Sequence, residues 1–263
     1  MKKNTREPLG QHFLKSKKAV IETINSASPN DGDTIIEIGP GKGFLTKEIS
    51  KICHEKNCSL IAIEKDCSLA EKLKKENLQN TEIITDDALK FLKNYKNSRY
   101  KLIGNIPYYI TGKLLRILSE NPIKPEKITL LIQEEVAERI EAKAPNMNLL
   151  SAITGVWADS KILMRLNQSD FNPPPKVRGA IIEITPKKET EIENIDAYFK
   201  TVKLLFRQPR KTLLNNIRDG FNMNKEDAEK IIKENGMDLN DRPQNTDMKV
   251  LINITKTIQK RVI

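Results

Sequence analysis

Short apolar runs alternate with amphipathic ones through the first two thirds of the chain. Thr34–Ile38, Leu60–Ile63, Glu82–Ile84, Lys101–Ile103 and Ile128–Ile132 read as short buried strands, and Leu45–Ile52, Ser68–Glu76, Ala88–Leu92 and Lys113–Ser119 between them as helices. Strands alternating with helices at this spacing predict an α/β fold, a parallel sheet with helices on both faces. Right-handed crossovers then place every strand C-terminus on one edge, where ligands bind. Two more strand-like runs, Ile162–Leu166 and Ala180–Thr185, are joined through Asn172-Pro173-Pro174-Pro175. That link is too short for a helical crossover, so the two are expected to be antiparallel to each other. After Pro186 the texture changes. A charged stretch, 187–194, reads as a linker, and Tyr198–Phe206, Lys211–Gly220, Lys225–Asn235 and Met248–Gln259 carry helical periodicity, with Gly220 and Gly236 where helices should stop. The expected organisation is an α/β domain over 1–188 and an all-helical domain over 189–263.

Composition narrows the class. The chain has 263 residues, 38% hydrophobic and 30% charged, enough for a real core. It has no apolar run of about 18 residues and no apolar stretch behind its basic start, so neither a membrane span nor a secretory signal is expected. Cys53, Cys58 and Cys67 have only His54 near them, which argues for reduced thiols in a cytoplasmic protein and against a metal site. The net charge is +10. Lys2, Lys3, Arg6, Lys15, Lys17 and Lys18 face one acid, Glu7, and Ala197 through Arg218 holds Lys200, Lys203, Arg207, Arg210, Lys211 and Arg218 with no acid. A polyanionic partner explains such clustering, and a solubilising surface is the competing account.

Candidate chemistry sits on the strand-end edge. Glu37-Ile38-Gly39-Pro40-Gly41-Lys42-Gly43 closes the first strand and opens a helix. Gly39 and Gly41 allow a tight turn against which a ligand can lie. The spacing is not that of dinucleotide enzymes, and a carboxylate beside the turn repels a pyrophosphate. It suits a cationic ligand, and S-adenosylmethionine carries a sulfonium and an ammonium. Glu64, ending the second strand, can accept both ribose hydroxyls. Asp87, after the third, can accept from an adenine amino group, although an acid there also reads as a helix cap.

Gly104-Asn105-Ile106-Pro107-Tyr108-Tyr109 follows the fourth strand on the same edge. An amine on an aromatic ring is a poor nucleophile because its lone pair is delocalised. The Asn105 side-chain oxygen and a backbone carbonyl, that of Ile106, can hold its two hydrogens and aim the lone pair at a methyl group. Pro107 stiffens the turn and Tyr108 offers a ring for an extruded base. In Phe171-Asn172-Pro173-Pro174-Pro175-Lys176-Val177, Phe171 is a candidate second aromatic wall and Lys176 a candidate phosphate contact. A rigid hairpin is the plainer reading of that loop.

Taken together these residues resemble the ribosomal RNA adenine-N(6),N(6)-dimethyltransferases. Gly10-Gln11-His12-Phe13-Leu14 looks like that family's N-terminal cofactor clamp, and Glu37–Gly43, Glu64, Asp87-Ala88, Asn105–Tyr108, Gln133–Arg139 and Phe171–Val177 follow in the family's order. Phe206-Arg207-Gln208-Pro209-Arg210-Lys211-Thr212-Leu213 looks like the housekeeping small-subunit branch rather than the antibiotic-resistance branch that modifies large-subunit rRNA. The resemblance implies a Rossmann-like class I methyltransferase domain, S-adenosylmethionine as cofactor, and dimethylation of two adjacent adenines near the 3′ end of small-subunit rRNA in an assembling subunit, by a monomer. It implies cofactor contacts at His12, Leu14, Gly39, Glu64, Asp87 and Asn105. The basic run points to RNA binding by the helical domain through Lys200, Lys203, Arg207, Arg210 and Lys211, with helical spacing putting Lys200, Lys203 and Arg207 on one face. Two positions depart from the family pattern: His12 stands where Asn is common, and Tyr109 replaces a common Asn. A catalytically idle rRNA-binding assembly factor is a further reading of the same fold, disfavoured by the intact Asn105–Tyr108 turn.

Overall fold

The structure is a computed structural model that describes residues 12–97, 99–107 and 110–262, with side chains through 260. The expected strands are β2 (Thr34–Ile38), β3 (Ser59–Glu64), β4 (Thr81–Thr85), β5 (Lys101–Asn105), β6 (Lys127–Gln133), β7 (Ala158–Leu166) and β9 (Gly179–Pro186). They form one seven-stranded sheet in the order β4-β3-β2-β5-β6-β9-β7. The β2–β3, β2–β5, β3–β4 and β5–β6 pairs are parallel, and β9 joins β6 antiparallel. The order reverses direction at β2, the switch point where open α/β sheets bind ligands.

The expected helices are α2 (Phe44–Glu55), α3 (Cys67–Lys74), α4 (Ala88–Asn94) and α5 (Thr111–Glu120). Three more went unread: α1 (Lys17–Ala27), α6 (Glu134–Glu141) and α7 (Leu149–Gly155). α1 packs on β5 and β6 and α2 on β3. Ala19, Val20 and Ile24 of α1 join Leu45 and Ile49 of α2, Ile35, Ile103 and Ile181 in one buried cluster. A two-residue β1 (Phe13–Leu14) pairs antiparallel with β8 (Phe171–Asn172) and ties the first described residues to the proline-rich loop.

The chain divides into two compact units: one runs to Ala137 and resumes over Lys161–Thr185, the other comprises Glu138–Ser160 and the chain from Pro186 onward. A single boundary after residue 188 therefore misses one segment. Glu138–Ser160 groups with the C-terminal helices because α7 packs against α8 (Ile195–Leu205) and α11 (Met248–Val262). The buried Tyr198 hydroxyl donates to Ala152 O at 3.0 Å, and Lys187 Nζ donates to Gly155 O at 2.6 Å. α9 (Leu213–Phe221) and α10 (Lys225–Glu234) complete this second unit. No helix among the described residues is long and apolar enough to cross a membrane.

Candidate active site

The sheet register puts the candidate residues on one level. Ile38 of β2 lies opposite Ile63 and Gly104, so Gly39, Glu64 and Asn105 each follow one step later at the same strand edge. Gly39 N–H extends the ladder to Ile63 O at 3.0 Å. A Cβ on Gly104 would stand 2.6 Å from the Ile38 carbonyl, which is why β5 can lie against β2 here only with glycine. Gly41 has φ +58°, and a side chain there would meet the Phe13 ring at 3.0 Å. Lys42 Nζ lies 4.5 Å from the centre of that ring, a cation–π contact worth about 0.5–1 kcal/mol. Phe13 thus covers the glycine turn.

The three acids stand in different states. Glu37 is 2% exposed. Burial pushes its pKa up to about 8; the Thr46 hydroxyl eases this and the Glu64 charge adds to it. Thr46 gives no well-formed hydrogen bond, since Glu37 Oε2 and Thr46 Oγ1 are both left without a partner. Glu64 is held at both ends by the main chain: Gly41 N–H donates to Oε2 and Asp66 N–H to Oε1, each at 2.9 Å. Asp87 caps α4, accepting from Leu89 N–H at 2.9 Å and Lys90 N–H at 3.4 Å through Oδ1. Its Oδ2 takes the Lys65 ammonium at 3.0 Å, and that contact holds Asp87 below the usual carboxylate range. Each carboxylate oxygen keeps a further lone pair for a ligand.

On the acceptor side Asn105 Nδ2 donates to His12 O at 3.1 Å. That bond takes one of the two Nδ2 hydrogens and orients the amide, and among the described residues Oδ1 has no partner and is left as an acceptor. His12 Nδ1 bonds Pro173 O at 2.8 Å, so one residue joins the acceptor turn to the proline-rich loop. Pro107 follows in the described chain; Tyr108, Tyr109, Gly10 and Gln11 lie outside the described residues. The structure brings together His12, Gly39, Gly41, Glu37, Glu64 and Asn105. Asp87 follows β4 two residues past Thr85, the partner of Glu64.

One expectation needs correcting. Phe171 is not an open aromatic wall: it is 3% exposed, its backbone pairs with Leu14, and its ring fills the slot left by the missing side chain of Gly179. Leu14, 7% exposed, turns its side chain into the core, so its backbone is the part it offers to a ligand. Lys176 is exposed. Glu134 at the start of α6 holds Arg165 Nε at 2.7 Å and Arg178 Nε at 3.1 Å, and its N–H donates to Arg178 O, anchoring the exit of the loop. Reading the sequence had assigned Glu134 no role; its place among the acids of Gln133–Arg139 was the available signal.

In the second unit Lys200, Lys203, Arg207, Arg210 and Lys211 are all exposed. α8 ends at Leu205, so Arg207 lies beyond the helix and not on its face. Lys211 pairs with Asp219 at 3.2 Å, an acid one residue past the stretch that had looked free of them. Cys53 and Cys58 are buried and Cys67 is exposed.

A mostly parallel sheet with this order, a glycine turn after its first long strand and acids after the next two, is a Rossmann-like methyltransferase fold. Comparison with known proteins carries this further. The chain belongs to the ribosomal RNA adenine dimethylase family, which matches residues 2–260. Ribosomal RNA small subunit methyltransferase A of Clostridioides difficile (strain 630) is 34% identical over 95% of this chain and 90% of its own length. The protein of that name from Lactobacillus helveticus (strain DPC 4571) is 33% identical, covering 96% and 91%. Among solved structures, a dimethyladenosine transferase from Plasmodium falciparum superposes with TM-score 0.79 at 23% identity, over 96% of this chain and 99% of that one. The 23S rRNA methyltransferase ErmE superposes with TM-score 0.74 at 21% identity, covering 94% and 99%. At these identities both structures speak to the fold alone.

Proposed function

We propose that this chain transfers methyl groups from S-adenosylmethionine to the exocyclic amines of two adjacent adenines near the 3′ end of small-subunit rRNA, dimethylating each. Family membership and relatives named for the small subunit support this over the large-subunit alternative. The observation that carries the chemistry is Asn105: at the strand edge beside the glycine turn, one amide N–H is engaged by the His12 carbonyl, and among the described residues its oxygen has no partner. The protein works on an assembling subunit, as a monomer in the cytoplasm.

The residues present fit the cofactor. Glu37 supplies a buried carboxyl with an unpartnered oxygen beside a glycine turn that the Phe13 ring covers. S-adenosylmethionine, when bound, supplies a methyl group activated by a sulfonium. Glu64 accepts from the ribose hydroxyls, Asp87 from the adenine amine, and Gly39 and Gly41 give close backbone approach. His12 and the Leu14 backbone close the turn from the N-terminal side. On the acceptor side Asn105 Oδ1 and the Ile106 carbonyl each accept one hydrogen of the target amine, leaving its lone pair directed at the methyl. Pro107 fixes the turn and Tyr108 stacks on the base. No general base is required, because the amine loses its proton readily once alkylated; positioning supplies most of the rate. The helical unit holds RNA phosphates through Lys200, Lys203, Arg207, Arg210 and Lys211, and on the first unit Lys176 offers a phosphate contact of its own.

The test is transfer of labelled methyl groups to purified unmodified small and large ribosomal particles, followed by mapping. Label on two adjacent adenines of the small-subunit RNA is the expected result. Label only on large-subunit RNA, or none, would overturn the reading.

A further inference from the structure

The lysines at the start of α1 take no part in the chemistry above. Lys15, Lys17 and Lys18 are exposed, and among the described residues none of them forms an ion pair. Lys17 and Lys18 open α1, where a helix's positive end disfavours cations, and Ser16 provides no side-chain cap. The local helix therefore does not account for them.

Their position is close to the acceptor turn. Lys15 N–H donates to Asp170 O at 2.9 Å, and Gln168 Nε2 donates to Lys176 O at 2.8 Å. The 168–170 turn thus links Lys15 with Lys176. Back along the chain, His12 is three residues from Lys15, and its carbonyl holds Asn105. An extended chain covers about 3.3 Å per residue, so the Lys15 backbone lies within about 10 Å of His12. The same two segments carry the two large hydrophobic residues found exposed in the described chain. Ile21, 58% exposed, sits one turn after Lys17 and Lys18, and Val177, 42% exposed, follows Lys176.

We propose that the start of α1 and the end of the proline-rich loop form an RNA-binding surface that grips the strand flanking the target adenine. The ammonium groups take phosphates, and Ile21 and Val177 pack against sugars and base faces. This rests on the rRNA adenine reading. Unpaired cations with isolated aliphatic side chains suit a strand with repeating anions, whereas a folded protein partner is met by an apolar centre with a polar rim.

The test uses the full-length protein carrying Lys15→Ala, Lys17→Ala and Lys18→Ala together. Binding to unmodified small ribosomal particles and to a naked rRNA fragment is measured across a salt series, with cofactor affinity as the folding check. Single-stranded contacts each contribute about 0.7 to the slope of log affinity against log salt, so the slope should fall by about 2 on both substrates with cofactor affinity unchanged. Ile21→Ala should weaken RNA binding without changing the slope. An unchanged slope and affinity in the triple variant would make these lysines a solvated face. Weakened particle binding with unaltered binding to naked RNA would assign them to a protein partner, and that also overturns the proposal. The underlying reading is tested apart from this, by methyl transfer with the wild-type protein: an active wild type with an unchanged slope removes only the surface.

Discussion

At the ends of β3 and β5 the chain treats a polar side chain in two ways. Glu64 is 6% exposed and both its oxygens accept from main-chain N–H groups, one of them on the glycine turn. Asn105, half-buried, is held by one bond to the His12 carbonyl and keeps its acceptor oxygen unspent. The cofactor edge is therefore part of the fold: the group that would meet the ribose also shapes the turn beneath it. The acceptor edge is mounted on the fold and can be altered with less disturbance. Damage at the first should appear in stability and binding together, and damage at the second in rate alone.

The largest combined effect is expected from Glu64→Ala. Losing the charged acceptor for the ribose costs about 1.5–3 kcal/mol, roughly ten- to hundredfold in cofactor affinity by calorimetry. The N–H groups of Gly41 and Asp66 also lose their acceptor, at about 1–3 kcal/mol each where water cannot replace it, so the denaturation midpoint should fall as well. Lost affinity at unchanged stability would separate the turn from the carboxylate.

Glu37 sharpens the same contrast through pH. Its folded pKa of about 8 exceeds the ordinary 4.5, so between these values the folded protein holds a proton that the unfolded chain has released. The stability it contributes is full below pH 4.5 and is lost as pH rises through 8, a change on the order of a few kcal/mol. Glu37→Gln should flatten that part of the stability profile. A cationic ligand favours the carboxylate, so cofactor affinity should rise toward pH 8 with proton release, read from calorimetry in buffers of different ionisation enthalpy. Proton-independent binding would remove Glu37 from the site.

Much of this edge was legible in the chain. The five parallel strands were short apolar runs bounded by turn residues, and Glu37, Glu64 and Asn105 followed from where those runs ended. α1 was missed although Ser16 stands at its N-cap position; the two lysines of its first turn are unfavourable at a helix start, and Ser16 makes no side-chain cap bond. α7 was missed despite a signal: Asn148 and Ser151 form a reciprocal capping box. Tertiary facts were beyond local pattern. Nothing near Phe171 announces that Gly179, eight residues on, leaves a slot for its ring, or that Glu64 reaches across to Gly41. The second unit borrows 138–160 through packing between distant helices, which periodicity does not encode.

Smaller effects test the acceptor and RNA sides. Tyr108→Ala should cost about 1–3 kcal/mol in the single-turnover rate through lost stacking, and Tyr108→Phe little. Equal damage from the two would replace stacking with a role for the hydroxyl. The smallest difference is expected at Lys211: Asp219 already pairs with it, so Lys211→Ala should flatten the salt dependence of RNA binding less than Lys200→Ala or Arg210→Ala. Equal slopes would mean that the Asp219 pair opens on binding.

The central claim is that Asn105 presents a spare acceptor to the target amine while contributing little to the fold. Single-turnover methyl transfer by Asn105→Ala, on saturating ribosomal substrate and cofactor, addresses it most directly. Loss of one preorganised acceptor is expected to cost about 2.7–4 kcal/mol in the transition state, a hundred- to thousandfold slower transfer, with RNA binding and the denaturation midpoint nearly unchanged. Transfer at the wild-type rate in the folded variant would contradict the account.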